Sequence, residues 1–285
     1  MERILPNLII GGAQKSATTS LHSILASHPD VFFPPSEPYG QEIHFFDLEE
    51  NYRRGVDWYA GLFRDWAGQK VIGQTSPLYL YDAKTPAAMA ALLPQVRLVF
   101  ILREPVARAY SHYWHEVRYG WELESFERAL ELEPERIARG PVARRHFSYL
   151  DRGRYAGQLE RYREHFPREQ MLVLLHEHLH RQPDALLTRV AHFLGIDAER
   201  FNRDVARRVH NKTRVPRVRW LQRLVRDLRD PFPRLCTLVD RLNLSDAGYP
   251  PMRLETRERL RANFAPELAR LEEIWGLELS PWRTP

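Results

Sequence analysis

Apolar residues gather in short runs along the chain, at Leu8 to Ile10, Val71 to Gly73, Leu98 to Leu102 and Met171 to Leu175. Runs of that length without polar alternation are the pattern of strands covered on both faces. Between them, apolar positions recur at helical spacing and predict helices over 18–27, 86–93, 105–119, 155–166 and 184–194. A last helical stretch over 253–275 carries Leu260, Phe264, Leu268, Leu271 and Trp275 along one side. Strands separated by helices predict an α/β fold with a central, mainly parallel sheet.

The chain of 285 residues is 44% hydrophobic, enough to bury one sizeable core, and it shows no internal repeat, low-complexity tract or linker. A single domain over 1–285 is therefore expected. Its longest apolar runs are far too short to span a bilayer, and the N-terminus reaches a glycine turn before any signal-peptide core develops. Cys236 is the only cysteine, so no intrachain disulfide can form. These features together predict a cytoplasmic protein without a membrane span.

The formal net charge is +5, but between Arg203 and Arg234 eleven basic residues face three acidic ones, a surplus of eight. The rest of the chain is thus slightly acidic. Trp220, Leu221, Leu224, Val225 and Leu228 repeat at helical spacing inside this segment, so part of it is an amphipathic helix. The stretch HNKTRVPR at 210–217 reads instead as a basic loop, because Pro216 breaks a helix there.

The stretch IIGGAQKSATTSLHSIL at 9–25 runs a strand into a glycine turn and then a helix, the context in which backbone N–H groups and a helix N-terminus receive a phosphate. Against G-x-x-x-x-G-K-[ST], counted from Gly12, Ala17 stands at the second glycine, Thr18 replaces the lysine, and Lys15 comes earlier. The loop keeps an anion cradle over residues 15–19 without the nucleotide triphosphate grip. An ordinary strand-to-helix connection would give the same pattern. The next strand ends in LREP, where Arg103 offers a cation rather than a metal-holding acid, and Ser111 follows about two turns into a helix. An arginine fork and a hydroxyl suit a monoester phosphate, so the two loops imply a ligand with two separated anionic groups. The expected fold is then a P-loop-like three-layer α/β/α sandwich.

QKSATTSL, EIHFFD and LREPVARAYSHY resemble the sulfotransferases that use 3′-phosphoadenosine 5′-phosphosulfate (PAPS), nearest the heparan sulfate N-sulfotransferase and 3-O-sulfotransferase branch, over residues 4–282. The resemblance implies that PAPS is the co-substrate, with no metal. It places the 5′-phosphosulfate on Lys15, Ser16, Ala17, Thr18 and Thr19, and the 3′-phosphate on Arg103 and Ser111. Ala17 stands where the family has glycine, which a negative φ would accommodate. NKTR at 211–214 makes Lys212 and Arg214 candidate lids over the donor. Glu42 matches the catalytic base, needed because a sugar hydroxyl is a poor nucleophile, while His44 and Asp47 would orient it or contact the acceptor. Thr75 stands where the branch has a second lysine, leaving Lys15 alone to meet the leaving phosphate. The implied activity is transfer of a sulfuryl group to a carbohydrate hydroxyl or a small-molecule acceptor.

Two other function classes fit parts of the pattern. One is a P-loop small-molecule kinase, the other a non-catalytic module binding anionic polysaccharide through the segment after Arg203. His176, His178 and His180 read as the polar end of a strand and its loop, and no metal site is expected there. Basic and aromatic residues interleave too sparsely for nucleic-acid binding, and no G-x-S-x-G hydrolase elbow occurs.

Overall fold

A computed structural model describes residues 3–35, 42–207 and 214–283. Packing divides the chain into two compact units, each discontinuous in sequence. The first comprises residues 1–103, 155–210 and 280–285, and the second residues 104–154 and 211–279.

The first unit is built on five parallel strands, β1 (Leu8–Gly12), β2 (Val31–Phe32), β3 (Val71–Thr75), β4 (Arg97–Leu102) and β5 (Met171–Leu175), in the order β2-β3-β1-β4-β5. The four expected apolar runs are the four long strands. The edge strand β2, only two residues long, carries too little sequence to show a pattern. Leu8, Ile10, Val99 and Ile101 point to one face, where they pack against Leu21 and Leu25 of the Thr18–Ala26 helix and Leu187 and Val190 of the Pro183–Leu194 helix. Phe100, alternate to these, meets Tyr162 of the Tyr155–Arg163 helix on the other face, ring centroids 4.9 Å apart. Helices on both faces complete the three-layer α/β/α arrangement. The C-terminal Trp282 is buried in this unit and donates its indole N–H to Glu177 Oε2 at 2.6 Å.

After β1 the chain builds β2 and β3 on one side and then crosses to β4 on the other. Such a reversal of strand order opens a crevice beyond the C-terminal ends of the strands, the place where open α/β sheets bind ligands. Gly12, Thr75 and Leu102 all end at that edge.

Among its described residues the second unit is helical apart from a two-residue antiparallel pair, β6 (Val215–Pro216) with β7 (Leu244–Ser245). Part of the expected basic loop is therefore strand. At its centre the Pro105–Arg118 helix buries Val106, Tyr113 and Val117 against Phe126 and Leu130 of the Phe126–Ala138 helix, and Phe264 of the Leu254–Trp275 helix. Glu104 starts the central helix, its carboxylate accepting the N–H groups of Val106 at 3.1 Å and Ala107 at 2.6 Å. Two further helices, Arg219–Leu228 and Pro233–Asn243, form a hairpin in this unit.

Candidate active site

The anion loop leaves β1 through Gly12, where an added Cβ would lie 2.6 Å from Leu80 Cβ, so only glycine permits this approach. Lys15 and Ala17 take left-handed backbone conformations, with φ of 67° and 68°. Ala17 therefore departs from the negative φ expected of an alanine replacing glycine, and this conformation costs about 1 kcal/mol or more for an L-residue. The Thr18–Ala26 helix begins immediately afterwards with no side-chain cap and no acidic residue in its first turn. An uncapped helix start of this kind favours a nearby anion. Ser16 is fully buried, and its hydroxyl has no hydrogen-bond partner. Thr18 is buried and Thr19 half-buried. Arg103, one residue past β4, donates from Nη1 to the Lys15 carbonyl at 3.3 Å, which ties the second basic residue to the loop. An uncapped helix start, an orphaned buried hydroxyl and an adjacent guanidinium fit a phosphate or phosphosulfate group.

Glu42 pairs its backbone with Thr75 at the end of β3, and Thr75 is in register with Ile10 of β1. The register brings Glu42 to the sheet edge that carries the loop, two inter-strand spacings or about 10 Å across from β1. His44 sits between two carboxylates: Nε2 donates to Glu42 Oε2 at 3.0 Å and Nδ1 to Asp47 Oδ2 at 2.9 Å. Burial opposes its protonation, but the hydrogen bonds and charges of Asp47 and Glu42 outweigh that and raise its pKa to about 9. An imidazolium is thus fixed beside the half-exposed Glu42 at neutral pH. His44 reaches this position with φ of 52°, held by its N–H donating to Ser76 Oγ at 3.2 Å. Beneath it, Tyr79 Oη accepts the N–H groups of Phe45 at 2.9 Å and Phe46 at 3.3 Å and a hydrogen bond from Gln74 Nε2 at 2.7 Å. Asn51 Nδ2 donates to the Ile43 carbonyl at 2.9 Å.

Residues 5–237 match the sulfotransferase domain family. The chain belongs to that family. It is 28% identical to the human bifunctional heparan sulfate N-deacetylase/N-sulfotransferase 3 over 98% of its own length. It is 32% identical to the mouse heparan sulfate glucosamine 3-O-sulfotransferase 3B1 over 67% of its length. The chain spans 31% of the first of these proteins and 46% of the second. The crystal structure of a sulfotransferase from Alicyclobacillus acidocaldarius superposes with a TM-score of 0.73 at 29% identity, covering 99% of this chain and 100% of that one.

Against this sulfotransferase fold, the remaining sequence-derived residues fall in several places. Lys15, Ser16, Ala17, Thr18, Thr19, Glu42, His44, Asp47 and Arg103 all lie in the first unit. Ser111 lies in the second, buried in the Pro105–Arg118 helix with its hydroxyl 3.3 Å from Tyr249 Oη. Arg214, also in the second unit, pairs with Asp246 through Nε at 2.9 Å, and Lys212 is outside the described residues. Thr75, at the position of the second lysine, is buried and shares a hydrogen bond with His22 Nδ1 at 2.9 Å. Burial lowers the His22 pKa to about 4, so this partner is neutral and does not replace the missing charge. Glu49 and Glu50, the neighbouring acids, begin a short separate helix and are exposed. His176, His178 and His180 follow β5 directly on the His176–Arg181 helix, so the expected loop is helical. Among the described residues no group of three or more His, Cys, Asp or Glu side chains is placed to hold a metal ion. Sequence reasoning missed Tyr79, Gln74 and Ser76 as supports of the carboxylate chain. The GQTSPLYLY stretch contains all three, but the backbone that Ser76 and Tyr79 hold lies 32 and 34 residues away.

Proposed function

We propose that the chain, acting as one sulfotransferase domain over 1–285, moves a sulfuryl group from PAPS to a carbohydrate hydroxyl by in-line displacement. Glu42 accepts the hydroxyl proton while the acceptor oxygen bonds to sulfur and the bond from sulfur to the bridging phosphate oxygen breaks. The products are a sulfate ester and adenosine 3′,5′-bisphosphate. Lys15, with the loop amides of Ser16, Ala17, Thr18 and Thr19, meets the charge growing on the bridging oxygen. Arg103 receives the 3′-phosphate, and by the family resemblance Ser111, Lys212 and Arg214 count among the donor-binding residues. His44, charged and braced by Asp47, orients Glu42 for this proton transfer.

The observation that supports this most is the register Ile10–Thr75–Glu42, which sets a hydrogen-bonded carboxylate at the same sheet edge as an uncapped helix start with a buried, unpartnered serine hydroxyl. The carbohydrate acceptor follows the named activities of the relatives. The cytoplasmic setting and metal-independent chemistry belong to the same reading.

Sulfate transfer from radiolabelled PAPS to a panel of saccharides tests it. Lys15→Ala and Glu42→Gln are each expected to lower turnover about 100-fold or more. Near-normal turnover in either variant, or transfer of phosphate from ATP with Mg²⁺, contradicts the assigned roles.

A further inference from the structure

The hairpin of the Arg219–Leu228 and Pro233–Asn243 helices closes on itself through a small set of contacts. Asn243 Nδ2 donates to the Val218 carbonyl and its Oδ1 accepts the Val218 N–H, both at 2.9 Å. Cys236 Sγ approaches the Val225 carbonyl at 3.4 Å, and Arg229 pairs with Asp240 at 2.8 Å. These pairs make the helices antiparallel and fix which residues face inward. On the side toward the body of the same unit, Arg219 donates to Tyr113 Oη at 2.8 Å and Arg226 lies over the Trp121 ring at 4.5 Å.

Among the described residues the opposite side has no such cover. Trp220, Leu224 and Leu228 recur at four-residue spacing on the first helix, and Leu235, Leu238 and Leu242 at three and four on the second. At about 100° per residue each stripe lies about 120° from its helix's inward residues, and in an antiparallel pair both rotations bring the stripes to one side. Trp220 is 65% exposed, Leu242 69%, and Leu224, Phe232, Leu235 and Leu238 are exposed as well. This is a continuous apolar face of a kind that isolated surface leucines do not make.

Charge decides what covers it. Arg217, Arg223, Arg234 and Arg241 are exposed, and none has an ion-pair partner among the described residues, whereas Asp227 and Asp240 are held by Arg226 and Arg229. Arg234 and Arg241 flank Leu238 at four- and three-residue spacing. A second copy of the chain would bring the same unpaired cations against these. A surface of acidic lipid headgroups supplies the opposite charge to the arginines while its acyl boundary takes the apolar stripes. Neither helix is long and apolar enough to cross a membrane, so the hairpin would lie in the interface plane.

We propose that this hairpin is a membrane-docking element that seats the protein on anionic lipid. Co-sedimentation of the full chain with phosphatidylcholine vesicles, with and without phosphatidylglycerol, tests it. Binding is expected to be about 10-fold or more stronger on the anionic vesicles and to weaken as salt rises from about 0.1 M to about 0.5 M. The Leu224→Glu/Leu238→Glu variant, with an unchanged circular dichroism spectrum, should lose it. Should that variant not fold, Arg234→Glu/Arg241→Glu should lose the preference for anionic vesicles instead. Equal partitioning onto both vesicle types overturns the proposal. So does a lipid-free dimer that dissociates on Leu238→Glu, which would make the face a contact between copies.

Discussion

His44 carries the clearest residue-level consequence. Its pKa is raised from 6.5 to about 9 in the folded protein, so the fold binds this proton more tightly than the unfolded chain does. The resulting stabilisation is fully present below about pH 6.5 and is lost as pH rises through about 9. His44→Asn should therefore lower the melting temperature most near pH 6 and least near pH 10, about one pH unit beyond the folded pKa. A gap between wild type and variant that stays constant over that range would mean that the imidazolium is not held by Glu42 and Asp47. The Glu42, His44 and Asp47 positions were legible in the sequence through the EIHFFD resemblance, since they lie within six residues of each other. Tyr79 was not legible, because a tyrosine that receives two backbone N–H groups from a distant loop looks in sequence like any core aromatic. Ala17 shows a different limit. Only the structure reveals that Ala17 is left-handed.

At the scale of elements, continuous apolar runs identified β1, β3, β4 and β5 because a parallel strand buried on both faces has little choice but to be apolar throughout. The two-residue β2 and the β6–β7 pair left no such trace, since pairing partners far along the chain define them. The helical spacing from Trp220 to Leu228 was visible, but its exposed side could not be told from a buried one without the packed structure. One junction in the second unit depends on a single glycine. Gly120, after the Pro105–Arg118 helix, has φ of 74°, and an added Cβ would lie 2.3 Å from the Gln222 carbonyl oxygen in the hairpin. Both the conformation and the contact with rigid backbone oppose a side chain there. Gly120→Ala should cost about 2–4 kcal/mol, combining the left-handed penalty with overpacking. Urea unfolding would read this as a lower midpoint. An unchanged midpoint would mean that the helix and hairpin do not meet as closely as described.

For the molecule as a whole, the basic surplus between Arg203 and Arg234 leaves the rest of the chain slightly acidic, so the proposed anion binding would rest on placed residues rather than on a general positive field. The loop around Lys15 and the guanidinium of Arg103 supply that placement in the first unit. In the proposed reaction these groups recognise a nucleotide with phosphate esters at both the 5′ and 3′ positions. Isothermal titration calorimetry of the full chain with adenosine 3′,5′-bisphosphate measures this directly. One equivalent should bind, and Arg103→Ala should weaken that binding about 10-fold or more. No measurable binding of the bisphosphate by folded protein, alongside uptake of ATP with Mg²⁺, would contradict the account.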